Sequence, residues 1–249
     1  MKARFFIVAI WVIQAFADSV NQSPQEALIH SIEAEKLNLQ KAEAWVYDEV
    51  ITYTNVFHSG KRKKTGSASF EVIALEGRPY YKLVQLNGKK LKKKEQIAED
   101  VRMEQVSRER RRGDSFSERS RFAIPFSQLG EEHIASWQGD HLITAPRVPG
   151  LRKVADLIIT EQVLDSQTHL RRKAVVKFLE SYGVNPENTE ILVDYVVMPD
   201  GTSLIQKILY RRPYRQGWHE TEQVYSNYHK FEAESVIRSV DPENLSFEK

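Results

Sequence analysis

The chain has 249 residues, with 36 Lys and Arg against 34 Asp and Glu, and no cysteine. The missing cysteine excludes disulfides, thiolate catalysis, Cys-ligated metal and a lipid-modified cysteine at a processed N-terminus. Two of the basic residues, Lys2 and Arg4, sit in the first four positions, so 36 − 2 = 34 basic residues face 34 acidic ones in the rest. That balance gives no global electrostatic case for a nucleic-acid partner.

Residues 1–17 read MKARFFIVAIWVIQAFA: two cations, an apolar run over 5–13, then Ala15-Phe16-Ala17. This is the plan of a secretory signal peptide with an A-x-A cleavage site. A membrane anchor is the other reading, but the run falls short of the roughly 20 apolar residues a bilayer span needs. The expectation is cleavage near Ala17 and a periplasmic or secreted product of 249 − 17 = 232 residues. A single α+β domain is expected over 18–240, with a helical insertion at 89–113 and a flexible acidic tail at 241–249. Without disulfides its hydrophobic core must hold it, and a chain of this size can bury one.

Ser23-Pro24-Gln25-Glu26 is a capping box, with serine as N-cap, proline at the first helical position and glutamate at the third. Leu28, Ile32 and Leu39 come next at near-helical spacing, which predicts a helix over 24–40 docked on a sheet by a narrow apolar stripe. From Trp45 to Leu86 the texture is β-branched and aromatic, broken at Ser59-Gly60-Lys61 and Glu76-Gly77-Arg78, so successive hairpins are expected. The large aromatics there either fill a core or line a cavity. Residues 89–112 are the most charged stretch. A thin seam of Ile97, Val101 and Gln105 or Val106 predicts an exposed helix stopped by Gly113. Its Arg110, Arg111 and Arg112 are the basic surface candidates, for anionic headgroups or an acidic periplasmic partner; the interleaved acids equally suit a solvated helix.

Asp114 to Arg121 reads as a polar loop, and Phe122, Ile124, Pro125, Phe126 and Leu129 as a small apolar knot. A hairpin is expected over 133–144, turning at Gln138-Gly139-Asp140. Pro146 and Pro149 end it, since neither suits a central strand. Two strands over 155–164 and 169–179 surround the turn Asp165-Ser166-Gln167-Thr168. The stretch 191–231 then predicts three antiparallel strands, broken at Pro199-Asp200-Gly201 and again around Pro213 and Gly217. Ile191, Val193, Tyr195 and Val197 would share one face, because strand side chains alternate.

The sequence contains no G-x-S-x-G, Walker loop, H-E-x-x-H or G-x-G-x-x-G. Glu131-Glu132-His133 and His219-Glu220-Thr221-Glu222 offer too few ligands on one face for a metal, so neither metal nor cofactor is expected. Glu49 and Asp194 interrupt apolar strands; they belong to a solvated face, to an arginine pair, or to acid–base chemistry in a cavity. No enzymatic activity is expected.

The turn Asp165-x-x-Thr168-x-Leu170-x-Arg172 and the closing Tyr225-Ser226-Asn227-Tyr228 resemble the LolA-like group of exported bacterial proteins. That group contains the outer-membrane lipoprotein carriers and the RseB-like regulators. The order of leader, helix, aromatic meander, helical insertion and final strands is similar over most of the chain. The resemblance implies a strongly curved antiparallel sheet, close to a half-barrel, with helices covering its concave face. It also implies uptake of a hydrophobic ligand, such as a lipid or the acyl chains of a lipoprotein. The carriers' arginine-containing lid motif has no match here, and no functional residue is taken from it. Tyr47, Tyr53, Phe70, Val193 and Tyr195 are the cavity-lining candidates. The alternative is a non-enzymatic interaction or sensory module of the same fold.

Overall fold

A computed structural model describes residues 22–42, 44–112, 129, 133–146 and 154–230. The expected leader at 1–17, Gly113, the loop from Asp114, the knot at Phe122, Ile124, Pro125 and Phe126, Glu131, Glu132, Pro149 and the tail at 241–249 lie outside the described residues.

Among the described residues eleven antiparallel strands form one sheet. In chain order these are β1 (Trp45–Phe57), β2 (Arg62–Leu75), β3 (Arg78–Leu86), β4 (Lys89–Lys90), β5 (His133–Gln138), β6 (His141–Pro146), β7 (Ile158–Leu164), β8 (Arg171–Phe178), β9 (Glu190–Val197), β10 (Ser203–Tyr214) and β11 (Gly217–Lys230). Their spatial order is β4-β3-β2-β1-β11-β10-β9-β8-β7-β6-β5, so the sheet is open. Two hairpin meanders are joined where the first long strand pairs with the last, from Trp45 opposite Lys230 to Phe57 opposite Gly217. The residue at 217 must be glycine: its φ is +144° and an added Cβ would lie 2.0 Å from the Val56 carbonyl oxygen. The break expected around Pro213 and Gly217 falls between Tyr214 and Gly217; Pro213 itself is the last but one residue of β10, opposite Trp218 and next to the hairpin end, where a missing N–H is tolerated.

Register fixes which side chains share a face. Ile191 and Val193 of β9 lie opposite Tyr210 and Ile208 of β10, and opposite Val176 and Ala174 of β8. These residues, with Leu142, Ile158 and Phe178, form the main apolar cluster. Val197, on the same side, is half-exposed beyond the cluster. Helix α1 (Pro24–Ala42) packs on this face through Ala27 and Leu28. Its N-terminus has the expected reciprocal cap: Glu26 N–H donates to Ser23 Oγ at 3.3 Å, and Ser23 N–H to Glu26 Oε2 at 3.0 Å. The inward stripe ends differently from the expected one. Leu39 is exposed, and Asn38 instead clamps Ser203, donating to its carbonyl at 2.8 Å and accepting from its N–H at 2.7 Å.

Helix α2 (Lys93–Arg111) takes a different seat from α1. Ile97 and Val101, the expected seam, face solvent, while Glu99 and Val106 are buried. The inward side chains Glu99, Arg102, Val106 and Arg110 recur at spacings of three and four, one side of a helix. They meet the outer edge of β3, where a neighbouring strand would otherwise pair. Glu99 accepts from the Leu83 N–H at 3.2 Å, Arg102 donates to the Tyr81 carbonyl at 2.5 Å, and Arg110 donates to the carbonyls of Leu75 and Arg78 at 2.5 and 2.8 Å. Glu99 also accepts from the hydroxyl of the fully buried Tyr80, at 2.8 Å, and from Arg102 at 2.7 Å. Tyr80 stands opposite Ile73, on the face away from α1, so α1 packs on the main apolar cluster and α2 does not. An amphipathic seam was unnecessary because α2 satisfies an open strand edge, which needs polar partners.

Glu99→Ala removes the acceptor of the Tyr80 hydroxyl and the Leu83 N–H and the carboxylate partner of Arg102. Urea unfolding should show a loss of about 3 kcal/mol, with Glu99→Gln costing less because it keeps an acceptor oxygen.

Candidate functional site

At the ends of β5–β8 that carry the β5–β6 and β7–β8 turns, a pocket of about 530 Å³ is lined by Gln22, Ala27, Trp137, Gly139, Asp140, Leu164, Asp165, Ser166 and His169. Three local structures build it. The start of α1 and its approach supply Ala27 and Gln22, the β5–β6 hairpin supplies Trp137, Gly139 and Asp140, and the β7–β8 hairpin supplies Leu164, Asp165, Ser166 and His169. Ala27 belongs to the main apolar cluster and Leu164 packs against it, so the floor is continuous with the core while the rim is polar. The Trp137 indole donates to the Gln22 carbonyl at 3.2 Å, fixing the helix entry to the hairpin.

The Asp165-x-x-Thr168-x-Leu170-x-Arg172 motif shapes this wall. Asp165 Oδ1 accepts from the N–H groups of Gln167 and Thr168, at 3.1 and 2.9 Å, and from the Thr168 hydroxyl at 3.0 Å; Oδ2 accepts from Arg172 Nε at 3.1 Å. Burial opposes ionisation at Asp165, but Arg172 and the turn donors outweigh it and hold its pKa down to about 2. The aspartate therefore organises the turn. His169 comes next in the left-handed region, with φ of 56°, and its ring lies 5.1 Å from that of His30 on α1. Burial first, then the neighbouring His30, depresses the His169 pKa, against a smaller opposing pull from Asp165.

Beneath α1 the covered face holds a polar chain that the sequence pattern did not lead us to expect. The buried Arg171 pairs with Glu35 of α1 at 2.5 Å and donates through Nε to Gln162 at 2.6 Å. Gln162 donates to Thr160 at 2.8 Å, and Thr160 shares a hydrogen bond with Thr144 at 2.5 Å. The spacing Leu28, Ile32, Glu35 contained a signal for it, since Glu35 continues the inward stripe of α1.

None of the five cavity candidates lines this pocket. Val193 is inside the main cluster and Tyr195 packs against it, its pKa pushed up by burial. Phe70 joins Ile51 and Ala68 in a second, smaller cluster. Tyr53 is 43% exposed. Tyr47 meets Tyr225 edge-on at 5.2 Å and shares a 3.1 Å hydrogen bond with Tyr81. Glu49 is buried beside this tyrosine group, not on a solvated face; the Tyr225 hydroxyl donates to Gln223 at 2.7 Å and lies against the Glu49 carboxylate. Asp194 sits on the opposite face, in register with Lys173 and Lys207. Arg110 is held at the β3 edge, Arg111 pairs with Glu76 at 3.3 Å, and Arg112 caps α2. His219 stacks on Tyr214 at 3.9 Å while Glu220 is buried against Arg211 at 2.9 Å. Among the described residues no group of three or more His, Asp or Glu is arranged to hold a metal.

No protein-family model and no curated protein matches the chain. Three solved structures are similar to it. A DUF1329 family protein from Desulfovibrio piger is 12% identical, over 84% of this chain and 94% of that one, with a TM-score of 0.38. A LolA superfamily protein from Nitrosomonas europaea is 10% identical, over 79% of this chain and 93% of that one, with a TM-score of 0.32. The MucA/MucB complex from Pseudomonas aeruginosa matches at 9% identity, over 85% of this chain and all of that one, with a TM-score of 0.24. The second of these carries the name of the family that the sequence motifs resemble.

Two measurements check how the site is built. Glu35→Ala should cost about 3 kcal/mol by leaving Arg171 buried without its acid, and the double change Glu35→Ala with Arg171→Met should recover much of that loss in denaturant titrations. Asp165 is lowered on folding, so its share of stability is complete above the unfolded value of about 3.9 and disappears as pH falls toward 2. Asp165→Asn should flatten that acid limb of the stability curve, modestly, because the group is partly solvated.

Proposed function

We propose that the protein is an exported, non-enzymatic binding or carrier module that takes up an amphiphile, a lipid or acyl chain, between α1 and the sheet face beneath it. The observation that carries this reading is the pocket of about 530 Å³ with a polar rim and an apolar floor. Its volume lies in the range of small-molecule sites, and its polar groups stand at the mouth, where a headgroup would remain wet. Ala27 and Leu164 lead from the floor into the main cluster, giving an acyl chain apolar contact. The open antiparallel sheet and α1 seated on one face support a half-barrel covered by that helix, while α2 lies at the β3 edge.

One observation favours the second reading, an interaction module. The covered face is tightly occupied: Leu142 and Val176 are fully buried, and Arg171 and Glu35 are joined beneath α1. Ligand uptake then depends on α1 moving or on the pocket alone sufficing.

Native mass spectrometry of the purified protein and displacement of a fluorescent fatty acid probe test the two readings. Ligand carriage predicts co-purifying lipid and probe binding that quenches Trp137. Ser166→Trp, at an exposed position of the rim, should weaken probe binding about tenfold with the fold intact. A protein that emerges empty and ignores the probe would overturn carriage and leave the interaction reading.

A further inference from the structure

The lysines divide the charged 89–112 segment in a way its arginines do not. Lys89, Lys90, Lys92, Lys93 and Lys94 are all exposed at β4 and the start of α2, and Lys61, Lys63 and Lys64 are exposed at the start of β2. The topology brings the two groups to one corner of the sheet, because β2 and β4 flank β3. The Asn87-Gly88 turn is stitched to β2: Asn87 N–H donates to the Ser67 carbonyl at 2.7 Å, and Ser67 N–H donates to Asn87 Oδ1 at 3.0 Å. Both groups therefore stand at the same end of the sheet. Among the described residues none of these eight lysines has an ion pair, whereas Arg62, between them in sequence, is held by the buried Glu220.

The placement runs against helix stability. Lys92 is the N-cap of α2 and Lys93 and Lys94 begin its first turn, where the positive end of the helix dipole disfavours cations; Glu95, which accepts from the Lys92 N–H at 2.7 Å, supplies the acidic charge in that turn. Asp100, a turn further on, lines a smaller pocket with Lys82 and Lys90. The first turn of α2 gains no stability from these cations.

We propose that this corner docks the protein on an anionic phospholipid bilayer. Lysine ammoniums on flexible stems suit a diffuse charged plane. Neither lysine group contains an aromatic side chain for stacking, and Leu91, half-exposed at the centre, offers an apolar contact. The corner lies at the strand ends that carry the β1–β2 and β10–β11 turns, whereas the pocket lies at the ends carrying the β5–β6 and β7–β8 turns. Docking therefore stands apart from ligand uptake.

Sedimentation of the purified protein with vesicles of phosphatidylcholine, alone or mixed with phosphatidylglycerol, tests this. Binding is expected only to the mixed vesicles and should weaken with salt. Reversal of four charges, K89E/K90E/K93E/K94E, should lower the partition by on the order of 1,000-fold or more. The neutral set K89Q/K90Q/K93Q/K94Q guards against misfolding; it should weaken binding less, with a Tm at or above that of the unaltered protein because first-turn cations are gone. Ser166→Trp should sediment as the unaltered protein does, whatever its effect on the fatty acid probe. Folded reversal variants that keep the full partition, or equal binding to neutral vesicles, would overturn the proposal. Binding to soluble polyphosphate without binding to vesicles would overturn it in favour of a free polyanion.

Discussion

The pairing of β1 with β11 is the constraint on which the rest of the structure depends. It joins two meanders into one sheet and places the start of the chain's β region beside its end. Many of the resulting contacts are remote in sequence, so closure of a long loop must precede the hydrogen bonds that reward it. Because the sheet stays open, it has two needs: one apolar face must be covered, and the strand edges must be kept from pairing with other chains.

The two helices meet these needs by different physics. α1 covers the main apolar cluster, contributing Ala27 and Leu28, and is held at its far end by the Asn38–Ser203 clamp. α2 substitutes for a missing strand, meeting the backbone of β3 with Glu99, Arg102 and Arg110. A helix of such high charge can be firmly seated because it replaces strand-to-strand hydrogen bonds with charge-assisted ones. This role absorbs its buried acid and Arg110 and leaves the lysines at its N-terminal end exposed.

The covered face is not uniformly oily. The chain from Glu35 through Arg171, Gln162 and Thr160 to Thr144 runs beneath α1. Buried polar chains of this kind fix register and orientation more than they add stability. Here the chain ties α1 to β8, while the pocket opens at the start of the helix, between its first turn and two hairpin turns. Any amphiphile entering there meets a wall whose shape is set by the Asp165 turn.

Local signals determined most of the elements. The Ser23–Glu26 cap, the Asp200-Gly201 turn, the Asp165 turn and the alternation over 191–197 depend on interactions within a few residues, and each stands where the sequence placed it. What tertiary structure decided concerns partners far apart in the chain. Glu49 interrupts a strand in the same way that Asp194 does, yet the first is buried beside tyrosines of β1, β3 and β11 and the second lies on the opposite face; only register across several strands separates them. Ile97 and Val101 looked like a seam because apolar spacing ordinarily marks the buried side of a helix. The edge of β3, which nothing in the helix sequence announces, required polar contacts and turned Glu99 inward. The pocket likewise unites three segments from the start of α1, the β5–β6 turn and the β7–β8 turn, which no periodicity could connect, because periodicity reports one element's face and not which elements will meet.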